Sequence, residues 1–282
     1  MAGSFCHLWL ACRLAEQAPG LAATASARAA LLAGAVAPDL GLFPGGPRRM
    51  SELVHGGPGC AFARRLWNAR QTAAERAFAA GWLLHLRADA ATHPWIERRA
   101  AALATRGGAR APLAVELAHL RVEWGCDCRL LEAPQGRLLW RPQLVFPQRG
   151  AGHDWLAEEA RSAFGDAVAA TGIRRGERSL RRWLRWLPAL LWLCGKVDQG
   201  RAGRMWPLRR LLDRVTTSLV GGRAAPCRRL LTTFALAAPW RPAPADLDAL
   251  LDCGRQALEG VTAALEDACA TCRGLPSEAA WT

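Results

Sequence analysis

Tyrosine is absent from the sequence, and lysine occurs once, at Lys196. The positive charge therefore comes almost entirely from arginine, which gives the 282-residue chain a formal net charge of +13. A surface this basic attracts anions such as phosphate esters, acidic lipid headgroups or nucleic acid, but charge alone does not select among them. Because there is no tyrosine, nucleic-acid bases would have to stack on Trp, Phe, His or Arg side chains.

Long uncharged apolar runs are also lacking. The best candidates are Leu21–Pro38, which Arg28 interrupts, and Leu184–Cys194, which is too short to cross a bilayer. The N-terminus shows no basic segment followed by an apolar stretch and a cleavage site. We therefore expect no transmembrane helix, no secretory signal and a cytoplasmic location.

The ten cysteines do not form a recognisable framework for disulfides or metal. Cys126-x-Cys128 and Cys269-x-x-Cys272 are the only close pairs, and neither has a second CxxC or a nearby histidine. A structural zinc site with four ligands would need such partners. Since no secretory signal is evident, reduced thiols are expected.

Apolar residues recur at helical spacing along most of the chain, and no segment alternates like a β-strand. We therefore predict an all-α protein. A soft boundary near residue 150 separates residues 1–150, which hold five of the six histidines, from a helical C-terminal half, residues 151–282. The two halves are expected to pack as one domain. The predicted helices are Leu8–Ala18, Ser26–Ala37, Cys60–Asn68, Ala73–Ala90, Leu113–Leu131, Trp155–Ala170, Leu180–Leu193, Leu208–Leu219, Arg228–Leu236 and Asp246–Cys269.

The strongest local signal lies in Gly81–Trp95. His85, Asp89 and His93 are four residues apart, so one helix would present all three on the same face. The rest of the segment is mostly apolar, and a buried aspartate between two histidines is unfavourable unless it is paired or bound to metal. A metal site is favoured, and the alternative is a hydrogen-bonded His–Asp network in a helical core. Pro94 is expected to end or kink the helix and to release the last imidazole for a second ion.

A second pair of residues with metal-binding chemistry, His119 and Glu123, again lies four residues apart. It supplies the imidazole and carboxylate that a second divalent ion would need. Asp127 continues the same helix face, either as a group that orients a ligand or as a solvated carboxylate at a helix end. Three further residues are weak signals on their own: His7 on the first helix, Asp39 in a Pro-Asp turn after a helix, and His55 in a loop.

Taken in chain order, these residues resemble the zinc-dependent phospholipase C family, including its intracellular bacterial members. The resemblance covers about residues 5–130, and its most specific element is the string Gly-Trp-Leu-Leu-His…Asp…His-Pro-Trp. It implies an all-helical bundle, here with additional C-terminal helices, and a cluster of two or three zinc ions. All the side-chain ligand positions of the family are filled, by His7, Asp39, His55, His85, Asp89, His93, His119 and Glu123.

The resemblance also implies how the ligands divide among the ions. One zinc would be held by His55, His85 and Asp89, with the carboxylate bridging to a neighbour. A second would be held by His93, His119 and Glu123. A third would involve His7 and Asp39. In the secreted relatives that third ion also binds a processed N-terminal Trp, which is not evident here, and Cys6 and the chain terminus are the candidates to replace it.

The implied activity is hydrolysis of phosphate esters, most specifically phospholipase C-like cleavage of a phosphodiester by a zinc-bound hydroxide in a di- or trinuclear site. Asp39 is the candidate to position or deprotonate the attacking water. Phospholipid is the favoured substrate. The alternatives are a zinc-dependent nuclease-like phosphodiesterase and a non-catalytic helical protein that keeps the metal as a structural element or binds membranes.

The C-terminal half carries weaker signals. Arg181–Cys194 combines arginines with Trp and Leu, a composition that suits peripheral contact with an anionic membrane. A helix that buries its apolar side chains in the core while its arginines extend outward is the favoured alternative. His153 has no counterpart in the family pattern and is interpreted as a loop or cap residue. Trp82 and Trp95 are expected to be packing aromatics.

Overall fold

The computed structural model describes residues 3–106, 112–132, 153–165, 171–182, 184–185 and 242–270. Within these ranges every regular element is helical, which confirms the all-α prediction. None of the helices described there combines the length and apolarity that a bilayer span requires. In chain order they are α1 (Ser4–Gln17), α2 (Ala25–Gly34), α3 (Arg48–His55), α4 (Gly59–Ala69), α5 (Ala73–Arg106), α6 (Pro112–Glu132), α7 (His153–Phe164), α8 (171–182) and α9 (Pro244–Ala270), with short 3-10 segments at Pro19–Ala22 and Ala37–Leu42.

Helix α5 is the centre of the bundle and packs against α1, α2, α4, α6 and α9. Residues 77–85 of this helix are buried on every face, and Trp82, Leu83 and Leu84 are almost completely inaccessible to solvent. Trp95 is also buried, as expected for a packing aromatic. Because each large apolar side chain that is fully buried contributes roughly 1.5–3 kcal/mol, this core holds α5 firmly in place.

Two glycines allow α2 and α5 to approach closely. A Cβ atom on Gly34 would lie 2.1 Å from the carbonyl oxygen of Phe78, and a Cβ on Gly81 would lie 2.1 Å from that of Leu31. Any larger side chain would therefore push the two backbones apart. The close approach brings the end of α2 to the part of α5 that carries His85.

Pro94 does not end α5, so the predicted helix end near Ala90 is wrong. The helix continues through this proline to Arg106. A proline inside a helix removes one backbone hydrogen bond and destabilises it by about 3 kcal/mol. The turns that follow the proline bury Trp95, Ile96 and Ala100 in the core, and packing of this kind dominates helix stability in proteins.

Helix α3 was not predicted, and His55 is its last residue rather than a loop residue. The helix is short and lies between breaker segments that contain several glycines and prolines. It buries Met50, Ser51 and Val54 on one side. A helix this short is marginal in isolation, so its contacts with the rest of the fold stabilise it.

The described C-terminal residues pack onto the N-terminal helices. Helix α9 contacts α5 and α1, and Leu250, Leu258 and Val261 join the same apolar core as Phe5. His153 begins α7. Several predictions lie outside the described residues: the helices Leu208–Leu219 and Arg228–Leu236, Cys272, and most of Arg181–Cys194. The domain boundary near residue 150 stays a prediction.

Candidate metal centre

Asp89 on α5 lies among four imidazoles. Its Oδ1 atom is 3.2 Å from Nε2 of His7 and 3.6 Å from Nε2 of His93. Its Oδ2 atom is 3.4 Å from Nε2 of His55 and 3.5 Å from Nε2 of His85. Two of these histidines come from α5 itself, and the other two come from α1 and α3. A single carboxylate therefore joins three helices at the centre of the cluster.

A first group of ligand atoms consists of Asp39, His55 and His85. Oδ1 of Asp39 lies 3.3 Å from Nε2 of His55 and 3.7 Å from Nε2 of His85. Asp39 belongs to the 3-10 segment Ala37–Leu42, which directs its buried carboxylate to the end of α3. The geometry places Asp39 with His55 and His85 and not with His7, which differs from the division that the resemblance implied.

Backbone carbonyls orient two of the imidazoles. Nδ1 of His55 lies 2.7 Å from the carbonyl oxygen of Ser51, and Nδ1 of His85 lies 2.8 Å from that of Ala35. A carbonyl oxygen accepts only, so each ring donates its Nδ1 proton and directs Nε2 into the cluster. The two Nε2 atoms lie 3.2 Å apart. Two nitrogen lone pairs this close repel each other unless a proton or a metal cation lies between them.

The hydroxyl of Ser51 fixes the turn that carries Asp39. It accepts a hydrogen bond from the backbone N–H of Gly41 at 2.8 Å and donates one to the carbonyl oxygen of Pro38. Together with the carbonyl contact to His55, Ser51 supports two members of the first group. The supporting role of Ser51 is not evident from the sequence, where its only signal is its position one helical turn before His55.

A second group consists of His93, His119 and Glu123. Nε2 of His119 lies 2.8 Å from Oε1 of Glu123, one turn along α6. The rings of His93 and His119 meet edge to face with their centroids 5.4 Å apart. Helices α5 and α6 therefore bring together the three residues that the sequence assigned to one ion.

His7 is fully buried on α1 and stacks on His85, with ring centroids 3.9 Å apart and an angle of 18° between the planes. It forms a third group with His85 and Asp89. Among the described residues, none of the three groups includes a cysteine. Burial raises the pKa of the Cys6 thiol well above its usual value, which favours the protonated thiol over the thiolate that zinc binds.

Several buried polar atoms in this cluster have no partner in hydrogen-bonding geometry. They are both ring nitrogens of His7, Oδ1 of Asp39 and Nε2 of His93. Each buried polar atom left in this state destabilises a fold by roughly 1–3 kcal/mol. Imidazole nitrogens and carboxylate oxygens are the ligand atoms that zinc accepts. The residues present therefore fit zinc ions.

The carboxylates and imidazoles shift one another's proton affinity. Burial opposes ionisation of Asp39 and Asp89, but neighbouring imidazoles, His85 foremost, hold both carboxyl pKa values below the usual range. Burial alone would lower the pKa of His55, but the adjacent carboxylates of Asp39 and Asp89 raise it to about 10. Burial lowers the pKa of His85 and of His93. In the metal-free protein His55 is therefore protonated on both ring nitrogens at neutral pH.

Asp127 is not a solvated carboxylate, so that interpretation is wrong. It is completely buried, and burial raises the pKa of its carboxyl to about 7. Its Oδ2 atom accepts a hydrogen bond from the backbone N–H of Phe5 at 3.2 Å, and Oδ1 accepts one from the N–H of Cys6 at 3.0 Å. Asp127 therefore binds the N-terminal turn of α1 and does not face solvent.

One side of the cluster is open to solvent. The side chains of His55, His93 and His119 are 26%, 27% and 24% exposed, whereas those of His7 and His85 are fully buried. A structural zinc site is closed, and a catalytic one keeps a position for water or substrate. The exposed edge provides a route by which a substrate can reach the ligand atoms.

Comparison with known proteins agrees with this chemistry. A family model described as zinc dependent phospholipase C matches residues 6–167, which is more than half of the 282-residue chain and includes every member of the cluster. No curated protein and no solved structure matches the chain. The family match, the all-helical fold and the groups of histidines and acidic residues that could bind metal agree with one another. The chain belongs to the zinc dependent phospholipase C family, a family of hydrolases.

Proposed function

We propose that this protein is a zinc-dependent phosphodiesterase that cleaves phospholipids in the manner of a phospholipase C. The observation that carries the proposal is the position of Asp89, which lies within 3.6 Å of four imidazoles in a cluster that is open on one side. The family match supports a hydrolase of this type. An open cluster favours catalysis over a purely structural role.

The ligand groups indicate which residues would hold the ions. One zinc would be held by Asp39, His55, His85 and Asp89. A second would be held by His93, His119 and Glu123. His7 adds a nitrogen beside Asp89 for a third ion. When bound, zinc lowers the pKa of water and neutralises charge on phosphoryl oxygens.

The chain's own residues then have separate tasks. Asp39 stays ionised, because its pKa is lowered, and it is the residue that would orient the attacking water by accepting a hydrogen bond from it. Ser51 holds the Asp39 turn and the His55 ring in place. The basic surface, with a formal net charge of +13 for the chain, would draw an anionic ester to the open edge.

The test is metal content combined with turnover. The purified, untagged protein is analysed by elemental mass spectrometry and assayed with a chromogenic phosphodiester and with phospholipid vesicles, before and after chelation. We expect more than one zinc ion per chain, and turnover that chelation removes and added zinc restores. Mass spectrometry of the lipid products identifies the bond, since phospholipase C cleavage releases diacylglycerol.

A matched pair of variants tests the site. The double substitution His85→Ala and Asp89→Ala is expected to abolish both zinc binding and hydrolysis, whereas His153→Ala removes the one histidine outside the cluster and is expected to change neither. Full zinc occupancy in the double variant would contradict the site. Hydrolysis of single-stranded DNA without cleavage of phospholipid would favour a nuclease, and bound zinc without any turnover would favour a structural metal.

A further inference from the structure

Asp127 on α6 forms the N-terminal cap of α1 from a different helix. Its two carboxylate oxygens accept hydrogen bonds from the backbone N–H groups of Phe5 and Cys6, at 3.2 Å and 3.0 Å. Both N–H groups belong to the first turn of α1, where the N–H of the second helical residue, Phe5, has no carbonyl acceptor within the helix. The N–H of Cys6 is shared between Asp127 and the carbonyl oxygen of Gly3, at 2.9 Å. A carboxylate at this end also matches the positive end of the helix dipole.

Helix α1 has no capping side chain of its own. Its N-cap residue is Gly3, which has no side chain to accept a hydrogen bond from the first turn. A Cβ atom on Gly3 would lie 2.2 Å from the carboxyl carbon of Asp127. The absence of a side chain at this position is therefore what lets the carboxylate of Asp127 reach the helix end.

His7 depends on this helix for its position. The rings of His55 and His85 are each fixed by a hydrogen bond from Nδ1 to a backbone carbonyl, but neither ring nitrogen of His7 has a partner in hydrogen-bonding geometry. Stacking on His85 fixes the plane of the His7 ring, but the backbone of α1 determines where its nitrogens lie. His7 is one residue beyond Cys6, whose N–H donates to Asp127.

We propose that Asp127 is a positioning residue for the metal centre: by capping α1 from α6, it holds His7 beside Asp89. The same helix carries His119 and Glu123, so α6 both supplies ligands and fixes a ligand on its neighbour. The inference rests on the proposed zinc function for its metal-binding readout. Its structural readout does not depend on zinc.

The experiment uses zinc as the probe. Four variants are prepared without metal: Asp127→Ala, Asp127→Asn, His7→Ala, and the double variant His7→Ala with Asp127→Ala. Each is checked for folding by circular dichroism, and its zinc affinity is measured by competition with a chromogenic chelator. Asp127→Ala is expected to lower the affinity for one of the bound zinc ions by about 10-fold or more. Loss of an orienting group has an effect of this size in other metal sites. Asp127→Asn keeps an acceptor oxygen and is expected to restore part of that affinity.

The double variant separates positioning from general stability. If Asp127 acts through His7, the double variant binds zinc as His7→Ala alone does. Thr24→Ala is the control, because Thr24 caps α2 through the N–H of Ala27 and α2 carries no member of the cluster. That variant is expected to lower thermal stability without changing zinc affinity. Zinc affinity in Asp127→Ala equal to that of the parent, or losses that add in the double variant, would overturn the proposal.

A measurement on the metal-free protein keeps the two proposals distinguishable. Amide hydrogen exchange at Phe5 and Cys6 is expected to accelerate in Asp127→Ala, and the NMR signals of the His7 ring nitrogens are expected to shift. Gly3→Ala should produce the same two changes, because its methyl group would displace the carboxylate. These changes without any zinc binding by the parent would refute the proposed function alone. Unchanged exchange and unchanged His7 signals would refute the role of Asp127.

Discussion

His55 and His85 direct their Nε2 atoms at each other across 3.2 Å, while each donates its Nδ1 proton to a backbone carbonyl oxygen. Neutral rings held in this way would place two lone pairs face to face. The arrangement therefore requires a positive charge between or beside the rings. A proton on His55 meets this requirement in the metal-free protein, and a zinc ion would replace it.

Zinc binding is therefore expected to release a proton from His55. The pKa of this residue is raised to about 10, whereas a zinc ligand must be deprotonated. Zinc affinity should increase as pH rises toward 10. Isothermal titration calorimetry at pH 8 in two buffers of different ionisation enthalpy measures the proton directly. His55→Ala should remove this released proton and His153→Ala should not, and equal heats in both buffers for the parent would contradict the prediction.

The raised pKa of His55 also makes the stability of the metal-free protein depend on pH. Because the pKa of His55 in the folded state lies above its ordinary value, the group stabilises the fold fully below pH 6.5, and this contribution is lost as pH rises through 10. Urea denaturation across this range should show a decline in the free energy of unfolding that is smaller in His55→Ala.

Asp89→Asn is expected to disable the centre while preserving its shape. The amide is nearly isosteric but carries no negative charge, and Asp89 contacts four imidazoles. Turnover should fall by about 100-fold or more, since even groups that only orient metal ligands matter by 10–100-fold. Zinc content and phosphodiester hydrolysis measure the effect. Asp248→Asn, at an exposed position on α9, is the control, and equal zinc content in both variants would argue against the central role of Asp89.

Ser51→Ala is expected to lower the free energy of unfolding by about 1–3 kcal/mol, because it leaves the buried N–H of Gly41 without its acceptor. It should also reduce activity, since the turn that carries Asp39 loses its support. Urea denaturation of the metal-free protein measures the first effect. Ser26→Ala, at an exposed position in α2, should change stability little. A Ser51→Ala variant as stable as the parent would show that this hydroxyl is not needed.

Gly81→Ala is expected to destabilise the fold by about 1–3 kcal/mol through overpacking against α2. The added methyl would also move Ala35 away from His85, so zinc affinity should fall with stability. Gly260→Ala is the matched control, because a Cβ at that helical position meets no atom within 4 Å. That variant should gain about 0.5–1 kcal/mol from the higher helix propensity of alanine. Thermal denaturation of the two variants should therefore shift in opposite directions.

The part of the site that could be predicted from sequence is the part set within single helices. His85, Asp89 and His93 share a face of α5, and His119 and Glu123 share a face of α6, because residues four apart lie one above the other on a helix. The resemblance to the phospholipase C family supplied His7, Asp39 and His55, which are weak signals on their own. Helix ends were less predictable, as Pro94 within α5 and His55 at the end of α3 show.

The sequence by itself thus determined the helical class of the described residues, the family and the residues with metal-binding chemistry. Only the tertiary structure decided that Asp39 joins His55 and His85, that His7 lies beside Asp89, and that Asp127 caps a helix whose N–H groups lie 121 and 122 residues away in the chain. The physical reason is that helical periodicity fixes neighbours within one turn. Contacts between helices depend on how their apolar faces pack, and a local pattern does not contain that information.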